Sequence, residues 1–267
     1  MTRMGLFLLV VGALAGLPQP IHAQAPALHL ASLQWLPYVG PGLPEDGMSG
    51  AVAKAVSKHF GYDVKIDYFP WKRAMQVGGA DPDFIGYFPA YYTAERARQC
   101  HFSAPMGHST VGFAVLAGEP LHWSVLDDLA GAKLGVVLGY SNGEAFDDMV
   151  KSGKLRVDAS DNDTINLKKL LAGRVRAVVI DKAVLRYLLA TEPVLNKERA
   201  RLAFDAHPLA ELTLHVCFQR SALGLKMQQS YDAALLHTDI AKIENAYFDK
   251  LDGMSAAKRQ FLHESAH

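Results

Sequence analysis

The sequence predicts an α/β protein. Short apolar or alternating runs typical of strands are each followed by a segment with the pattern of a helix, as in "KLGVVLG" before "GEAFDDMV" and "AVVI" before "AVLRYLL". Strands that alternate with helices of this length indicate largely parallel sheets with helices on both faces. In such sheets, ligands bind beyond the carboxyl ends of the strands.

The predicted elements follow one another along the whole chain after residue 26. Its first part contains the strand "ALHLASLQW", the helix "MSGAVAKAVSKHFG", the strand "YDVKIDYF", the helix "PWKRAMQVG" and the strands "DFIGYF" and "TVGFAVLAG". Gly61 is a typical helix stop, and Pro70 is a typical first residue of a helix. The second part contains a capping-box-like "SVLD", the strand "KLGVVLG", the helix "GEAFDDMV", the strand "LRVDA", the helix "DTINLKKLLAG", the strands "AVVI" and "ELTLHVCFQ", and two helices around residues 222–250.

The N-terminal segment has the pattern of a secretory signal peptide. Arg3 precedes an apolar stretch from about Gly5 to Leu17, and small residues follow. The stretch is too short for a membrane span. We expect residues 1–23 to be removed by a cut after Ala23, which exports the chain to the periplasm without an anchor.

The composition limits the classes of partner. After removal of residues 1–23, 244 residues remain, enough for one large domain or two lobes, and 26 basic residues face 27 acidic ones. Nucleic acid and anionic membrane surfaces, which require concentrated positive charge, are therefore not predicted as partners. The 11 histidines are scattered without a metal-binding spacing, and the chain lacks a nucleotide-binding glycine motif in the right context, so we expect no metal and no cofactor.

Two cysteines, Cys100 and Cys217, lie in a chain predicted to enter an oxidising compartment. An even number of cysteines there favours a disulfide, and a single pairing is possible. Two buried free thiols are the alternative. A disulfide would bring the late strand around residue 217 beside the early part of the chain.

Asp181 ends the apolar run "AVVI" directly before an apolar helix. Aspartate is a preferred helix N-cap, because its carboxylate accepts hydrogen bonds from the free amides of the first turn. A carboxylate at the end of a buried strand is equally suited to binding a cation at the mouth of a cleft. The sequence leaves both interpretations open.

The stretch "GYSNG", residues 139–143, also permits two interpretations. It fits the G-x-S-x-G nucleophile elbow between a strand and a helix, and Ser141, Asp181 and either His207 or His215 follow in the order of a hydrolase triad. However, no His-Gly-Gly-type segment lies upstream to complete an oxyanion hole. Alternatively, the amides and the Ser141 hydroxyl bind an anion at the start of the helix.

Three stretches together resemble the periplasmic amino-acid-binding proteins of solute-binding family 3, in their order and spacing. They are "YTAERARQCHFSAPM" (92–106), "DDLAGAKLGVVLGYSNGEAF" (127–146) and "LAGRVRAVVIDKAVLRYLL" (171–189). The resemblance implies a type II periplasmic-binding-protein fold, in which two α/β lobes joined by two hinge strands close on a ligand. It implies a lobe one of residues 24–112 and 213–267 and a lobe two of residues 113–212.

The resemblance also implies roles for four residues. Arg96 matches the arginine that binds the α-carboxylate of the ligand, a task that suits the planar guanidinium. Tyr140 and Ser141 fall where lobe two hydrogen-bonds the same carboxylate. Asp181 matches the acidic residue that binds the α-ammonium group.

Three aromatic residues outside the family pattern are candidates for the wall of the ligand cleft. Tyr91 lies in "FPAYYT", where many members have serine or threonine, and Tyr38 and Trp71 add further aromatic surface. Aromatic walls favour an apolar or flat ligand, or a cation over a ring face. Packing in the core is the alternative for each of the three.

The sequence therefore predicts a monomeric periplasmic solute-binding protein. It would capture a small zwitterion, an amino acid, and present it to an inner-membrane ABC permease, without catalysing a reaction. The alternatives are an enzyme on the same scaffold, either a hydrolase or a dehydratase-like relative, and a ligand sensor for a membrane receptor.

Overall fold

The computed structural model describes residues 25–250. The expected signal peptide and its cleavage after Ala23 lie outside the described residues, as does the end of lobe one beyond residue 250. Among the helices of the described part, none has both the length and the apolar character needed to cross a membrane.

The described chain alternates strands and helices as predicted. The strands are β1 (Ala27–Ser32), β2 (Asp63–Tyr68), β3 (Gly86–Tyr91), β4 (Cys100–Phe102), β5 (Gly107–Leu116), β6 (Lys133–Val137), β7 (Arg156–Ser160), β8 (Ala177–Asp181), β9 (Leu202–Phe204) and β10 (Ala210–Gln219). The α-helices are α1 (Met48–Lys58), α2 (Trp71–Ala80), α3 (Ala94–Ala97), α4 (Glu144–Lys151), α5 (Asp163–Leu171), α6 (Lys182–Thr191), α7 (Pro193–Lys197) and α8 (Ala222–Leu235). Residues 240–250 are also helical.

The strands form one mixed sheet in the order β2-β1-β3-β10-β5-β8-β6-β7, with β4 paired to β10 and β9 paired to β5. Parallel pairs link β1 to β2 and β3, and β6 to β7 and β8. These parallel pairs, each with helices connecting its strands, confirm the α/β class. The parallel strands β6, β7 and β8 have their carboxyl ends on the same side of the sheet, and each is followed by a helix, α4, α5 or α6.

The long strands β5 and β10 join two parts of the sheet. Residues 214–219 of β10 pair with β3 and β4, whereas residues 210–214 pair with β5. Residues 111–116 of β5 pair with β8 and β9. The expected lobe limits, at residues 112 and 212, fall within these two strands. Lobe one below means residues 25–112 and 213–250, and lobe two means residues 113–212.

The buried apolar side chains form one cluster that extends through both lobes. Fully buried side chains of lobe one include Leu30, Phe88, Phe218 and Tyr231, and those of lobe two include Phe113, Leu134, Phe146, Leu167 and Leu170. They come from strands and from the facing sides of α1, α4, α5 and α8. The period of two in strands and of about 3.6 in helices, which is visible in the sequence, thus decides which side chains are inside.

Cys100 and Cys217 are bonded, which confirms the predicted disulfide. Their Cα atoms lie 5.6 Å apart, within the range that a disulfide can span. The bond cross-links β4 to β10 across 117 residues of chain. It therefore closes a long loop that contains all of lobe two.

We predict that the double variant Cys100→Ser/Cys217→Ser is less stable than the wild type by about 2–4 kcal/mol, because the unfolded chain regains the entropy of a long open loop. Urea unfolding with and without a thiol reductant measures the change. The reductant should destabilise the wild type and leave the variant unaffected. Wild-type unfolding that does not respond to full reduction would contradict the prediction.

Candidate ligand-binding site

Arg96 lies between the two lobes. Its helix, α3, begins after Thr93, whose hydroxyl accepts a hydrogen bond from the Arg96 amide at 3.1 Å. The guanidinium donates hydrogen bonds to the carbonyl of Tyr91 in lobe one at 3.0 Å and to that of Gly139 in lobe two at 3.2 Å. The Trp71 ring lies 5.6 Å from the centre of the guanidinium, a cation–π distance.

Arg96 has no ion-pair partner in the described chain, although the nearby carboxylates of Asp147 and Glu95 act to raise its pKa. Its hydrogen-bond acceptors are two main-chain carbonyls, and no carboxylate among the described residues 25–250 lies within ion-pair distance of it. Burial lowers the pKa of Arg96, although a guanidinium stays protonated in proteins. A half-buried cation that faces neutral acceptors is an electrostatically favourable position for an anionic group.

Asp181 ends β8 and is 4% exposed. One carboxylate oxygen accepts the Val184 amide at 2.9 Å, which confirms the helix-cap interpretation. The other accepts the Tyr38 hydroxyl of lobe one at 3.1 Å and the Ser109 hydroxyl at 2.6 Å. Burial raises the pKa of Asp181, whereas these hydrogen bonds lower it. Within the described chain, neither a lysine nor an arginine pairs with this carboxylate.

Trp35 is at the centre of an aromatic cluster that consists of Trp35, Tyr38, Tyr91 and Tyr140. Its ring stacks on Tyr38 with centroids 4.3 Å apart, and it meets Tyr91 edge-on at 5.7 Å and Tyr140 edge-on at 6.4 Å. The Tyr91 hydroxyl hydrogen-bonds Ser109 at 2.6 Å. The cluster therefore connects the surroundings of Asp181 to the loop that contains Tyr140.

A cavity of about 20 Å³, called the central cavity below, lies between the lobes beside Arg96. Its walls are Leu33, Trp35, Trp71, Pro89, Tyr91, Arg96, Tyr140 and Ser141. Five of the seven predicted site residues therefore surround one cavity, which has room for about one water molecule. The other two, Tyr38 and Asp181, line a separate cavity of about 380 Å³ on the side of β5. A third cavity of about 740 Å³ between α3 and α4 shares Arg96, Tyr140 and Ser141 with the central one.

The loop "GYSNG" lies between β6 and α4, as expected, but its donors are engaged by the chain itself. The Ser141 hydroxyl donates to Asp147 at 2.6 Å, and the Asn142 amide donates to the same carboxylate at 3.1 Å. Burial raises the pKa of Asp147, and these two hydrogen bonds lower it. The expected anion-binding position at the start of α4 is thus filled, in this conformation, by a carboxylate of α4.

The two histidines considered for a hydrolase triad do not contact Ser141. His215 hydrogen-bonds the Thr213 hydroxyl and the Ser103 carbonyl, both at 2.7 Å. The His207 ring packs edge-on against Trp123 at 4.5 Å. A serine nucleophile requires a base within hydrogen-bonding reach, and the partner of the Ser141 hydroxyl is a carboxylate instead.

Sequence reasoning missed four residues near the site, namely Trp35, Ser109, Asp147 and Asp163. Asp163 could have been found by the rule that identified Asp181, since it also follows a strand and begins a helix. Its side chain is 7% exposed. Burial, together with the nearby charge of Asp181, raises the pKa of Asp163 to about 7. No sequence pattern marked Trp35 or Ser109 as a site residue.

We predict that the stability of the protein falls as the pH rises from about 4 to about 7. The unfolded Asp163 carboxyl ionises near pH 4, but the folded one holds its proton up to about pH 7, so unfolding releases a proton in this window. The loss amounts to about 4 kcal/mol and is complete above the folded-state pKa. Asp181, Tyr91 and Tyr140 are the titratable neighbours of Asp163.

Urea unfolding at several pH values measures this effect by the difference between the wild type and Asp163→Asn. The difference should grow with pH in favour of the variant, which has no carboxyl to ionise. The exposed Asp161 provides the matched control, Asp161→Asn. A difference between Asp163→Asn and the wild type that is constant from pH 4 to pH 8 would contradict the prediction.

No protein-family model and no curated protein matches this sequence. Solved structures do match. An ancestral arginine-binding protein bound to arginine is 21% identical with a TM-score of 0.68, covering 85% of this chain and 99% of that chain. The GluR0 ligand-binding core from Nostoc punctiforme in complex with glutamate is 19% identical with a TM-score of 0.66, covering 84% and 98% of the two chains.

A histidine kinase sensor domain with similarity to periplasmic binding proteins is 14% identical with a TM-score of 0.69, covering 85% of this chain and 96% of that domain. These matches extend over both lobes, and the proteins they name include ligand-binding proteins and a sensor. The resemblance noted in the sequence is confirmed at the level of the fold. The chain has the two-lobed α/β fold of the periplasmic binding proteins.

Proposed function

We propose that this chain is a periplasmic solute-binding protein that captures a small zwitterion, an amino acid, by cleft closure. The observation that carries the proposal is the pair Arg96 and Asp181. These opposite charges lie on different lobes, and within the described chain each is hydrogen-bonded only to neutral groups.

A zwitterion would supply the missing partner of each charge. Its carboxylate would accept the two guanidinium donors that now bind the Tyr91 and Gly139 carbonyls. Its ammonium group would donate to Asp181 in place of the Tyr38 and Ser109 hydroxyls. Hydrogen bonds between opposite charges are stronger than those between a charged and a neutral group, and buried charges require such partners.

Ligand binding would require the lobes to separate, because the central cavity has room for about one water molecule. The two strands β5 and β10 provide the hinge. Contacts at the mouth would stabilise the closed form. The Ala94 amide of lobe one donates to Glu144 of lobe two at 3.0 Å, and Lys151 of lobe two lies 3.7 Å from Glu95 of lobe one.

The cellular role follows from the class of fold and from the N-terminal segment. The matched structures include proteins bound to arginine and to glutamate, which supports an amino-acid ligand. The signal-like residues 1–23 support export to the periplasm. There the closed, liganded form would be recognised by an inner-membrane ABC permease.

A sensory role is the second candidate, because one matched structure is the sensor domain of a histidine kinase. Both roles use the same ligand site and the same closure. They differ in the membrane partner of the closed form. Copurification of the mature chain with a permease or with a receptor, in the presence of ligand, distinguishes them.

We predict that Arg96→Ala and Asp181→Asn each weaken amino-acid binding by more than thirtyfold. Each variant leaves one buried ligand charge without its partner, at a cost of about 2–5 kcal/mol. Asparagine is also a good N-cap, so Asp181→Asn keeps the helix start and removes only the charge. A thermal-shift screen of the amino acids identifies the ligand, and titration calorimetry then measures the affinities.

The exposed Arg73 on α2 provides the control variant Arg73→Ala, which should bind like the wild type. Ligand analogues distinguish the role of Asp181 from that of Arg96. An N-acetylated ligand should bind the wild type weakly and lose little more affinity in Asp181→Asn. If both charge variants bind the native ligand as tightly as the wild type, the zwitterion site is refuted.

We predict that Ser141→Ala weakens ligand binding only modestly, by about 0.5–1.5 kcal/mol, as expected for one neutral hydrogen bond. Calorimetry measures the change. The wild type should not hydrolyse p-nitrophenyl esters through this residue, because the hydroxyl donates to Asp147. Ester turnover that is present in the wild type and abolished in Ser141→Ala would support the hydrolase alternative instead.

A further inference from the structure

We propose that the amino-acid ligand has an uncharged aromatic side chain, which is held between Trp35 of lobe one and Tyr140 of lobe two. This inference rests on the proposed function, because it concerns the same cleft. It narrows the ligand from amino acids in general to molecules like phenylalanine, tyrosine and tryptophan. This class differs from the arginine and the glutamate of two matched complexes.

Lobe one supplies most of the wall of the central cavity. Among the described residues that line it, Tyr140 and Ser141 come from lobe two, and the other six come from lobe one. Because the six lie on one lobe, they keep their places relative to one another when the lobes separate. Opening of the cleft would withdraw Tyr140 and leave a preformed wall of Leu33, Trp35, Trp71, Pro89, Tyr91 and Arg96.

This wall offers a ligand side chain little besides apolar surface. Among the described residues that line the central cavity, Arg96 is the only one with a charged side chain, and in the proposed function it binds the α-carboxylate. The Tyr91 hydroxyl is bonded to Ser109, and the Ser141 hydroxyl donates to Asp147, both at 2.6 Å. A polar side chain would lose its hydration here without a new partner, whereas an apolar one would gain from burial.

The rings of Trp35 and Tyr140 face each other across the cleft. Their centroids lie 6.4 Å apart and their planes are inclined by 78°, an edge-to-face arrangement. A ligand ring that entered between them would replace this single contact by a contact with each ring. Aromatic pairs are stabilised beyond the area that they bury, so the site favours a flat ring over an aliphatic group of equal size.

A cationic side chain would also be attracted by aromatic faces, but the charge of Arg96 disfavours it. The guanidinium already lies 5.6 Å from the Trp71 ring, and a second cation beside it would be repelled. None of the described residues that line the central cavity is a carboxylate that could compensate this repulsion. The cavity therefore suits a neutral ring better than a charged side chain.

The test compares amino acids that differ in charge and in aromatic character. L-Phenylalanine, L-tyrosine and L-tryptophan are titrated into the mature wild type, as are L-arginine, L-glutamine and L-glutamate. Calorimetry should show that at least one aromatic ligand binds more than about tenfold more tightly than each of the other three. L-Phenylalanine should also bind more than about threefold more tightly than its saturated analogue L-cyclohexylalanine.

Variants test whether the rings have the proposed role. Trp35→Leu, which keeps an apolar side chain and removes the ring, should weaken the aromatic ligand more than about tenfold, and Trp35→Phe should restore much of that loss. Trp123 packs edge-on against Phe113 and lines none of the three cavities described above, so Trp123→Phe is the matched control and should bind like the wild type. If Trp35→Leu does not fold, Tyr140→Leu provides the same test from lobe two.

The possible failures are distinguishable. If arginine, glutamine or glutamate binds more tightly than every aromatic amino acid, the inference is overturned and the proposed function stands. The same holds if L-cyclohexylalanine binds as tightly as L-phenylalanine, or if removal of the ring leaves the affinity unchanged. If no amino acid binds at all, the proposed function itself fails.

Discussion

The antiparallel pairing of β5 with β10 is the interaction on which the rest of the structure depends. Five residue pairs, from Ala210↔Val111 to Leu214↔Gly107, join the two strands, and the three that involve residues 210–212 connect lobe two to lobe one. The same register positions the site. Ser109 lies within the paired segment and donates to Asp181, and Asp181 lies opposite Val111 on the neighbouring strand.

In the proposed function, this arrangement would link the movement of the lobes to ligand binding. Both hydroxyl partners of Asp181, Ser109 on β5 and Tyr38, come from lobe one. The carbonyl partners of Arg96 come from both lobes. Separation of the lobes would break the contacts of Arg96 and Asp181 that cross the cleft, so both charges would become available to a ligand in the same movement.

The closed arrangement stabilises its charges with neutral groups of the chain. Main-chain carbonyls accept hydrogen bonds from Arg96, and hydroxyls donate hydrogen bonds to Asp181. Asp147 accepts hydrogen bonds from the loop before α4. Such partners compensate burial incompletely, because neutral hydrogen bonds stabilise an ionised group less than an opposite charge does. A zwitterion that replaces them would gain this difference, which is the physical basis of the proposed function.

Several features were predictable from the sequence because they depend on local pattern. Hydrophobic periodicity determined the order and type of most elements, and the preference of aspartate for helix starts predicted the cap formed by Asp181. The expectation of export and the even number of cysteines predicted the bond between Cys100 and Cys217. The family resemblance, through the order and spacing of three stretches at residues 92–106, 127–146 and 171–189, predicted the two-lobed fold.

The tertiary structure alone decided which side chains meet at the site. Trp35 contacts Tyr38, Tyr91 and Tyr140 through chain segments that are far apart in sequence, and no local pattern encodes such contacts. Sequence alone could not show that Asp147 accepts a hydrogen bond from the Ser141 hydroxyl. The burial of Asp163 likewise depends on how the strands and lobes pack around the first turn of α5. Local preference identifies a residue suited to a helix start or a ligand contact, but packing determines whether its charge remains in water.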